Sequence, residues 1–337
     1  SSLTQNAALA GGGIHSTNTP INIVSSSITL NSATQHGGGI YNQGGGAIVT
    51  IDNSNITLNS ASQNGGGLFN DSTGEINISN FSTISDNTAN NNGGGIFTQG
   101  DSPLSITSST ISGNQAITNV GGGVFSGGSD MTIEASSITY NQSQQAGAGL
   151  YFQIYNPQTT LIKNTTISTN TSTNDSGGAI FNRMFGGGVN NITLQHVTIA
   201  NNISSGGGGI DGFENAGTAN ITLQNTIFES KLTTGNDFSL GAGTLSLVTA
   251  TIVEDLSLVT AGVSNADPLL GALTLNSGFL VHPLQNTSPT IGAGTNIGIA
   301  TDQVGNARVL ANPAIGAVEI TTSSLVCMVV AAPAGVT

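Results

Sequence analysis

Apolar and polar residues alternate along many short segments of this chain, and the segments are separated by glycine or small polar residues. The stretches "AIVTIDNSNITL" and "MTIEASSITY" show this alternation and are rich in β-branched Ile, Val and Thr. A period of two places successive side chains on opposite faces of a strand, whereas no segment carries the 3.6-residue apolar stripe of a helix. The density of Gly, Asn and Ser also disfavours helices. The pattern predicts an all-β chain built from many short strands.

The strand pattern repeats with a period of roughly 28 residues, a length typical of solenoids. One row of the repeat reads GGGI, GGGV, GAGL or GGAI, and it begins at Gly11, Gly37, Gly65, Gly93, Gly121, Gly147, Gly177 and Gly207. A second row is an aliphatic residue followed three places later by asparagine, at Asn6, Asn31, Asn59, Asn87, Asn114, Asn141, Asn170 and Asn202. A third row lies five places before most of these aliphatic residues, at Ile23, Ile51, Ile106, Ile133, Ile162 and Leu194.

These three rows predict a parallel β-helix, right-handed by default, with about three strands per coil. Stacked coils place equivalent residues ~4.8 Å apart along the axis. The isoleucine rows then fill the interior, and the asparagines from Asn31 to Asn202 form a structural ladder that hydrogen-bonds from coil to coil at a turn. The glycine row marks a sharp turn or a close approach between coils.

The repeat divides the chain into three predicted parts. Residues 1–266 form the coils, which become irregular from about 231, where Ser230 stands in place of the expected asparagine. Residues 267–320 contain prolines and no repeat, and we expect them to form an irregular cap that closes the C-terminal end of the solenoid. Residues 321–337 are an apolar tail that could serve as an edge strand or donor strand. Because Ser1 enters in mid-coil, we expect other residues or another polypeptide to cover the first coil.

The balance of acidic and basic residues limits the classes of partner that the chain can bind. The chain has 4 Lys and Arg against 17 Asp and Glu, a net charge of -13, and only 6% of its residues are charged. This balance argues against nucleic acid or anionic lipid as a partner, because both require a basic patch. The longest apolar run, 325–332, is shorter than the ~20 residues that span a bilayer. Cys327 is the single cysteine and forms no disulfide framework. Sparse charge and abundant small polar residues favour an extracellular or cell-surface protein.

The coil repeats and the motifs near the C-terminus resemble those of known families. The coils resemble the pectin-lyase-like parallel β-helix repeats of bacterial surface and secreted proteins, and their "GGAI" variant is similar to the repeats of chlamydial polymorphic outer-membrane proteins. Four ordered motifs resemble the terminal module called the choice-of-anchor Q domain: "DPLLGAL" from Asp267, "HPLQNTSPTIGAG" from His282, "TDQVGNAR" from Thr301 and "AIGAVE" from Ala314. That resemblance implies a module that closes a β-helix just before a surface-anchoring segment. The family's "SPAIDAG" and "DQRG" stand here as "SPTIGAG" and "DQVG", which puts one polar contact of the family in doubt.

The same fold carries polysaccharide lyases and hydrolases, so the reactive residues need separate consideration. A lyase needs a calcium-binding carboxylate cluster and a basic residue, and the basic candidates are Lys163, Arg183, Lys231 and Arg308. Arg308 lies in the terminal motifs, where a structural salt bridge is favoured. No glycosidase signature is present, and the four histidines fall in different registers. We therefore predict no enzymatic activity, no cofactor and no metal site.

Two rows remain as candidate ligand-binding sites. Asp71, Asp101 and Asp130 fall in the variable turn after the glycine row, where they would line one edge with Arg183 two coils further on; a merely solvated acidic edge is the alternative. An aromatic residue follows the aliphatic residue of the glycine row in six coils: Tyr41, Phe69, Phe97, Phe125, Tyr151 and Phe181. If Ile40 points inward, these rings form an outward strip that could bind sugars or a protein. The alternative is that the rings belong to the core.

The sequence leaves three functions open. The first is a rigid structural or adhesive protein of the cell surface that associates end to end into filaments, by β-augmentation of one chain's first coil, or with other surface proteins. The second is a protein that binds or degrades polysaccharides, with glycans as partners. The third is a phage-type fibre.

Overall fold

The computed structural model describes residues 1–174, 177–215, 218–229, 238–239, 244–255, 258 and 260–320, without the side chains of 212–215, 238–239 and 246–247. All regular structure among these residues is β-strand. Ser230, Lys231, Cys327 and the tail 321–337 lie outside the described residues, so the predictions made for them stay predictions.

The strands form three parallel sheets that run the length of the molecule. Sheet 1 has nine strands: Ile14–Thr17, Ile40–Gln43, Leu68–Asp71, Ile96–Gln99, Val124–Gly127, Leu150–Ile154, Ile180–Phe185, Ile210–Asn215 and Phe238–Ser239. Sheet 3 has seven two-residue strands: Ala7–Ala8, Ser32–Ala33, Ser60–Ala61, Thr88–Ala89, Gln115–Ala116, Gln142–Ser143 and Thr171–Ser172.

Sheet 2 is the largest, and most coils contribute two strands to it. The first row comprises Ile21–Val24, Val49–Asp52, Ile76–Ser79, Leu104–Thr107, Met131–Glu134, Thr218–Gln224 and Thr244–Thr249. The second row comprises Ser2–Thr4, Ser27–Thr29, Asn55–Thr57, Thr83–Ser85, Thr110–Ser112, Ser137–Thr139, Ile227–Glu229, Thr251–Val253 and Val263–Ser264. In two coils the rows merge into the single strands Gln158–Ser168 and Val189–Ala200.

Equivalent residues of successive coils pair directly, which confirms the predicted parallel solenoid of about eight turns. Ile56 of sheet 2 pairs with Ile28 on one side and with Ile84 on the other. Inward residues of both rows of sheet 2 and of sheet 1 share one apolar core that runs along the axis. A single register shift, between Ile221 and Thr222, occurs where the Thr218–Gln224 strand meets Thr244–Thr249.

Most of the described coils bend at three residues with left-handed backbone. In one coil these are Asn53 between the two rows of sheet 2 (φ 43°), Leu58 between sheets 2 and 3 (φ 58°) and Gly65 before sheet 1 (φ 67°). Left-handed conformation costs a residue with a side chain about 1–2 kcal/mol, so only surrounding structure keeps Asn53 and Leu58 in it. We call these bends the Ser corner, the Asn corner and the Gly corner, after Ser54, Asn59 and Gly65, which lie directly after the first two bends and at the third.

The segment 267–320 lies along the side of the solenoid. Its residues contact the outer side of sheet 2 over several coils, and closure of the C-terminal end by this segment stays a prediction. Phe279 stacks on Phe81, with ring centroids 5.3 Å apart, and the Leu280 carbonyl accepts a hydrogen bond from Ser137 Oγ. The hydroxyl-rich outer side of the second row offers many hydrogen-bonding groups, which explains why a polar, irregular segment docks there. The segment has one hairpin, Thr274–Asn276 with Phe279–Val281. We call 267–320 the side module.

Candidate functional site

The asparagine column connects neighbouring coils through buried hydrogen bonds. Asn87 Oδ1 accepts hydrogen bonds from both the backbone amide and the Nδ2 of Asn59, at 2.9 and 3.0 Å. Asn87 Nδ2 donates to the Ile56 carbonyl at 2.8 Å and to Asn114 Oδ1 at 3.0 Å. The same arrangement links the ladder asparagines, all of which are buried: Asn31, Asn59, Asn87, Asn114, Asn141, Asn170 and Asn202. The column satisfies backbone groups that the Asn corner would otherwise leave unpaired in the interior.

A column of hydroxyl side chains at the Ser corner also pairs buried backbone groups of neighbouring coils. This column was not predicted from the sequence. Ser54 Oγ accepts a hydrogen bond from the Ser26 amide at 3.0 Å and donates to the Asp52 carbonyl at 2.7 Å. Ser136 repeats both contacts in a later coil. The signal was a Ser or Thr directly before most strands of the second row of sheet 2, and the abundance of these residues conceals it.

The six aromatic residues form one unbroken stack. Their ring centroids lie 4.4–5.5 Å apart from Tyr41 through Phe181, and four of the five steps are close to parallel. They point to the opposite side of sheet 1 from Ile40, and they belong to an apolar cluster separate from the main core. The Gly corners fold over this cluster. In one coil, a Cβ on Gly65 would lie 2.7 Å from Phe69 Cβ.

Burial of this stack corrects the predicted outward strip. The rings keep only 2–9% of their surface exposed, so they offer no face to a sugar or a protein at the surface. Side-chain alternation along the strand correctly predicted that the rings lie outside the central core. It did not predict that a loop covers them. The rings are buried, as the interior alternative holds, but in an apolar cluster separate from the main core.

One end of the stack is polar. His36 packs on Phe69, with ring centroids 4.4 Å apart. Burial raises the pKa of the Tyr41 hydroxyl, and the Asp71 carboxylate raises it further. Burial lowers the pKa of His36, against the opposing effect of Asp71. Of the three predicted acids, Asp71 is therefore the one whose charge reaches this stack.

The three candidate acids do not form one column, which corrects the predicted acidic edge. Asp71 ends a strand of sheet 1 and pairs with Gln43, whereas Asp101 lies in the turn beyond such a strand. Asp130 directly precedes a strand of sheet 2 and accepts hydrogen bonds from the amide and the Oγ1 of Thr159, at 2.7 and 3.1 Å. Arg183 lies in sheet 1, in register with Gln153. The variable turn differs in length between coils, so acidic residues at similar sequence offsets occupy different positions in the fold.

A buried polar cluster fixes the side module to the coils. Arg308 Nη1 lies 3.4 Å from Glu319 Oε2, and Arg308 Nη2 donates to Asn164 Oδ1 of the Ser corner at 2.9 Å. Burial lowers the pKa of Arg308 to about 10, while the Glu319 and Asp302 carboxylates oppose that shift. Burial, followed by the charge of Arg308, lowers the pKa of His196 to about 3. His196 is therefore neutral at pH 7 beside a cation. The members of this cluster are buried, and their hydrogen bonds hold the module against the coils.

Within the described part of the chain, no group of three or more His, Cys, Asp or Glu side chains is placed to hold a metal ion. Over the same residues no helix has the length and apolarity to cross a membrane.

The fold and its stacked columns define a parallel β-solenoid with a side module. Residues 81–99 match the Chlamydia polymorphic membrane protein repeat. The matched stretch runs from the Ser corner, through the ladder residue Asn87 and the glycine row, to the end of a sheet 1 strand. No curated protein and no solved structure matches the chain. The match is consistent with the resemblance seen in the "GGAI" coils, while the resemblances to pectin-lyase-like proteins and to the choice-of-anchor Q domain stay predictions.

Proposed function

We propose that this chain is a structural or adhesive element of a cell surface, in which the solenoid acts as a stiff spacer. The observation that carries the proposal is the parallel stacking of three sheets through about eight turns, reinforced by two hydrogen-bonded columns. At ~4.8 Å per coil the rod is roughly 40 Å long. Such a shape holds its ends at a fixed separation and presents turns along its length.

The surface location is supported by the match of residues 81–99 to a repeat of polymorphic membrane proteins. Low charge and abundant small polar residues are consistent with it. The test is accessibility on intact cells that express the chain in its full native context. Antibody against the solenoid should label intact cells, and added protease should remove the label. Labelling that appears only after lysis would contradict the surface location.

A structural or adhesive role, as opposed to an enzymatic one, is supported by the placement of the acids. Asp71, Asp101 and Asp130 do not converge, and Arg308 is committed to Glu319. Purified protein should release no reducing ends from neutral or acidic polysaccharides during prolonged incubation. Steady release that scales with protein concentration would favour the polysaccharide-degrading alternative.

End-to-end association is the finer form of this proposal. The strand Ser2–Thr4 pairs with Ser27–Thr29 on one side, and Leu3 keeps 39% of its surface exposed at that end of the core. A further coil from a second copy would pair with this edge and cover the apolar cross-section. Negative-stain microscopy at rising concentration should show rods of stepwise increasing length. Uniform monomers at high concentration would contradict the association without affecting the surface role.

A further inference from the structure

Sheet 1 continues past the buried aromatic stack into an uncovered patch on two neighbouring coils. The strands Leu150–Ile154 and Ile180–Phe185 are longer than the four-residue strands of earlier coils. Beyond the loop-covered ring of each coil, Gln153 lies in register with Arg183, and Tyr155, directly after the first strand, lies beside Phe185. The two rings stack with centroids 5.1 Å apart and an interplanar angle of 15°, and Tyr155 keeps 51% of its surface exposed.

The preceding coil leaves room beside Tyr155. The register that pairs Ser126 with Phe152 brings Gly127 and Gly128 opposite the start of the patch. A Cβ added to Gly128 would meet only the Gln153 carbonyl, at 3.5 Å. The side of the patch that faces this coil is therefore bordered by backbone, and a flat ligand can approach the Tyr155 ring there.

Polar groups flank the two rings. Gln153 Nε2 donates a hydrogen bond to the Tyr155 hydroxyl at 2.8 Å, which fixes that hydroxyl as an outward-facing donor. The Arg183 guanidinium carbon lies 4.9 Å from the Phe185 ring centroid, and Arg183 Nε is buried without a hydrogen-bond partner among the described residues.

The charge of Arg183 is uncommitted among the described side chains. Lys163 pairs with Glu134 and Arg308 pairs with Glu319, whereas no described carboxylate forms a salt bridge with Arg183. An available guanidinium next to a stacked aromatic pair favours a ligand that carries a carboxylate, which can pair locally with Arg183.

We propose that Gln153, Tyr155, Arg183 and Phe185 form a binding site for a glycan that carries an acidic sugar. The apolar face of a pyranose ring packs on Tyr155, and Arg183 pairs with the sugar carboxylate. The Tyr155 hydroxyl and the side-chain carbonyl of Gln153 form hydrogen bonds with hydroxyl groups of the sugar. The site deepens the proposed adhesive role and rests on the surface location for its biological setting, but its chemistry does not depend on that location.

Calorimetric titration of the purified chain tests the site with three probes. These are a polyuronate oligomer, a sialylated oligosaccharide and a neutral glucan oligomer of matched length. We expect binding of at least one acidic probe, and the pair of acidic probes distinguishes a uronate source from a sialic acid source. Absence of binding to both acidic probes would overturn the proposal, even if cell labelling had established the surface location.

Two variants assign the binding to the patch. Tyr155→Ala should weaken binding of the acidic probe by about tenfold or more, because it removes the stacking face. Arg183→Gln should weaken the acidic probe while leaving any weak affinity for the neutral probe unchanged. Tyr140→Ala is the matched control, since Tyr140 is also exposed (44%) but lies at an Asn corner, and it should bind like the parent. Equal affinity of Tyr155→Ala and the parent, with unchanged unfolding midpoints, would overturn the assignment.

Discussion

Each ladder asparagine serves two coils at once, and this double role makes the column sensitive to single substitutions. The side-chain oxygen accepts from the coil before it, and the side-chain amide donates to the coil after it. These groups are buried, so water cannot replace a lost partner without opening the corner.

Removing one ladder side chain should therefore cost more than a typical surface change. We expect Asn87→Ala to lower the free energy of unfolding by about 2–4 kcal/mol, because it leaves the Asn59 amide and the Ile56 carbonyl without their partners. Asn55→Ala, at an exposed position of the neighbouring strand, should change it by less than about 0.5 kcal/mol. Urea unfolding of both variants measures the difference, and equal effects would contradict a supporting role for the column.

The Gly corner depends on glycine for two reasons at one position. Gly65 has φ +67°, and an added Cβ would lie 2.6 Å from the Leu68 carbonyl oxygen and 2.7 Å from Phe69 Cβ. We expect Gly65→Ala to lower the melting temperature and to cost about 2–4 kcal/mol of stability, from backbone strain and overpacking together. Gly45→Ala, where no atom lies within 4 Å of the added Cβ, should be neutral or slightly stabilising. A neutral Gly65→Ala would show that the corner does not need this backbone conformation.

At the scale of elements, the side module is held by side chains that reach into the hydroxyl-rich outer side of sheet 2. Gln303 is central to this contact: its Nε2 donates to the Ser136 carbonyl at 2.9 Å, and its Oε1 accepts from Thr166 Oγ1 at 2.6 Å. His282 lies nearby, 2.8 Å from Ser168 Oγ.

Truncating Gln303 should loosen the module while leaving the coils folded. We expect Gln303→Ala to increase hydrogen exchange and protease cleavage within 267–320 by several-fold, because buried groups on both sides lose their partners. Asn286→Ala, at an exposed position of the same module, is the control and should behave like the parent. Unchanged protection of the module in Gln303→Ala would mean that other contacts determine its docking.

The buried histidines between module and coils make stability depend on pH. Burial lowers the pKa of His282 and, together with Arg308, lowers that of His196 to about 3, whereas the unfolded chain has histidines near 6.5. The unfolded state therefore takes up protons first, so stability is complete above pH 6.5 and falls as the pH decreases toward 3. Between its unfolded and folded pKa values, His196 contributes a slope of about 1.4 kcal/mol per pH unit.

Unfolding measured between pH 7 and pH 5 tests this linkage. His196→Gln should flatten the pH dependence of the free energy of unfolding relative to the parent, even if it lowers stability at pH 7. A slope that is the same in His196→Gln and in the parent would assign the acid sensitivity to other groups.

At the scale of the whole molecule, the repeated features of the coils could be predicted from the sequence. The loops and the segment that pack on the outside of the coils could not. The inward isoleucines, the asparagine column and the parallel register follow from the 28-residue spacing, because each is a local pattern copied from coil to coil. The cover over Tyr41 and Phe69 did not follow, since it depends on how the Gly corner folds over sheet 1. The side docking of 267–320 was also not predictable, because its contacts, such as Gln303 with Ser136, join residues far apart in the chain.

Equivalent residues of successive coils lie directly on one another, and paired cysteines provide a test of this stacking. Thr57 Oγ1 lies 3.1 Å from Thr29 Oγ1 in the adjacent coil, whereas Ser85 is one coil further along the same column. In a Cys327→Ser background, we predict that Thr29→Cys with Thr57→Cys forms an intramolecular disulfide under mild oxidation of the folded protein. Thr29→Cys with Ser85→Cys, separated by roughly 10 Å, should remain reduced. Mass spectrometry that finds the second pair linked as readily as the first, or the first pair unlinked, would contradict the stacked solenoid.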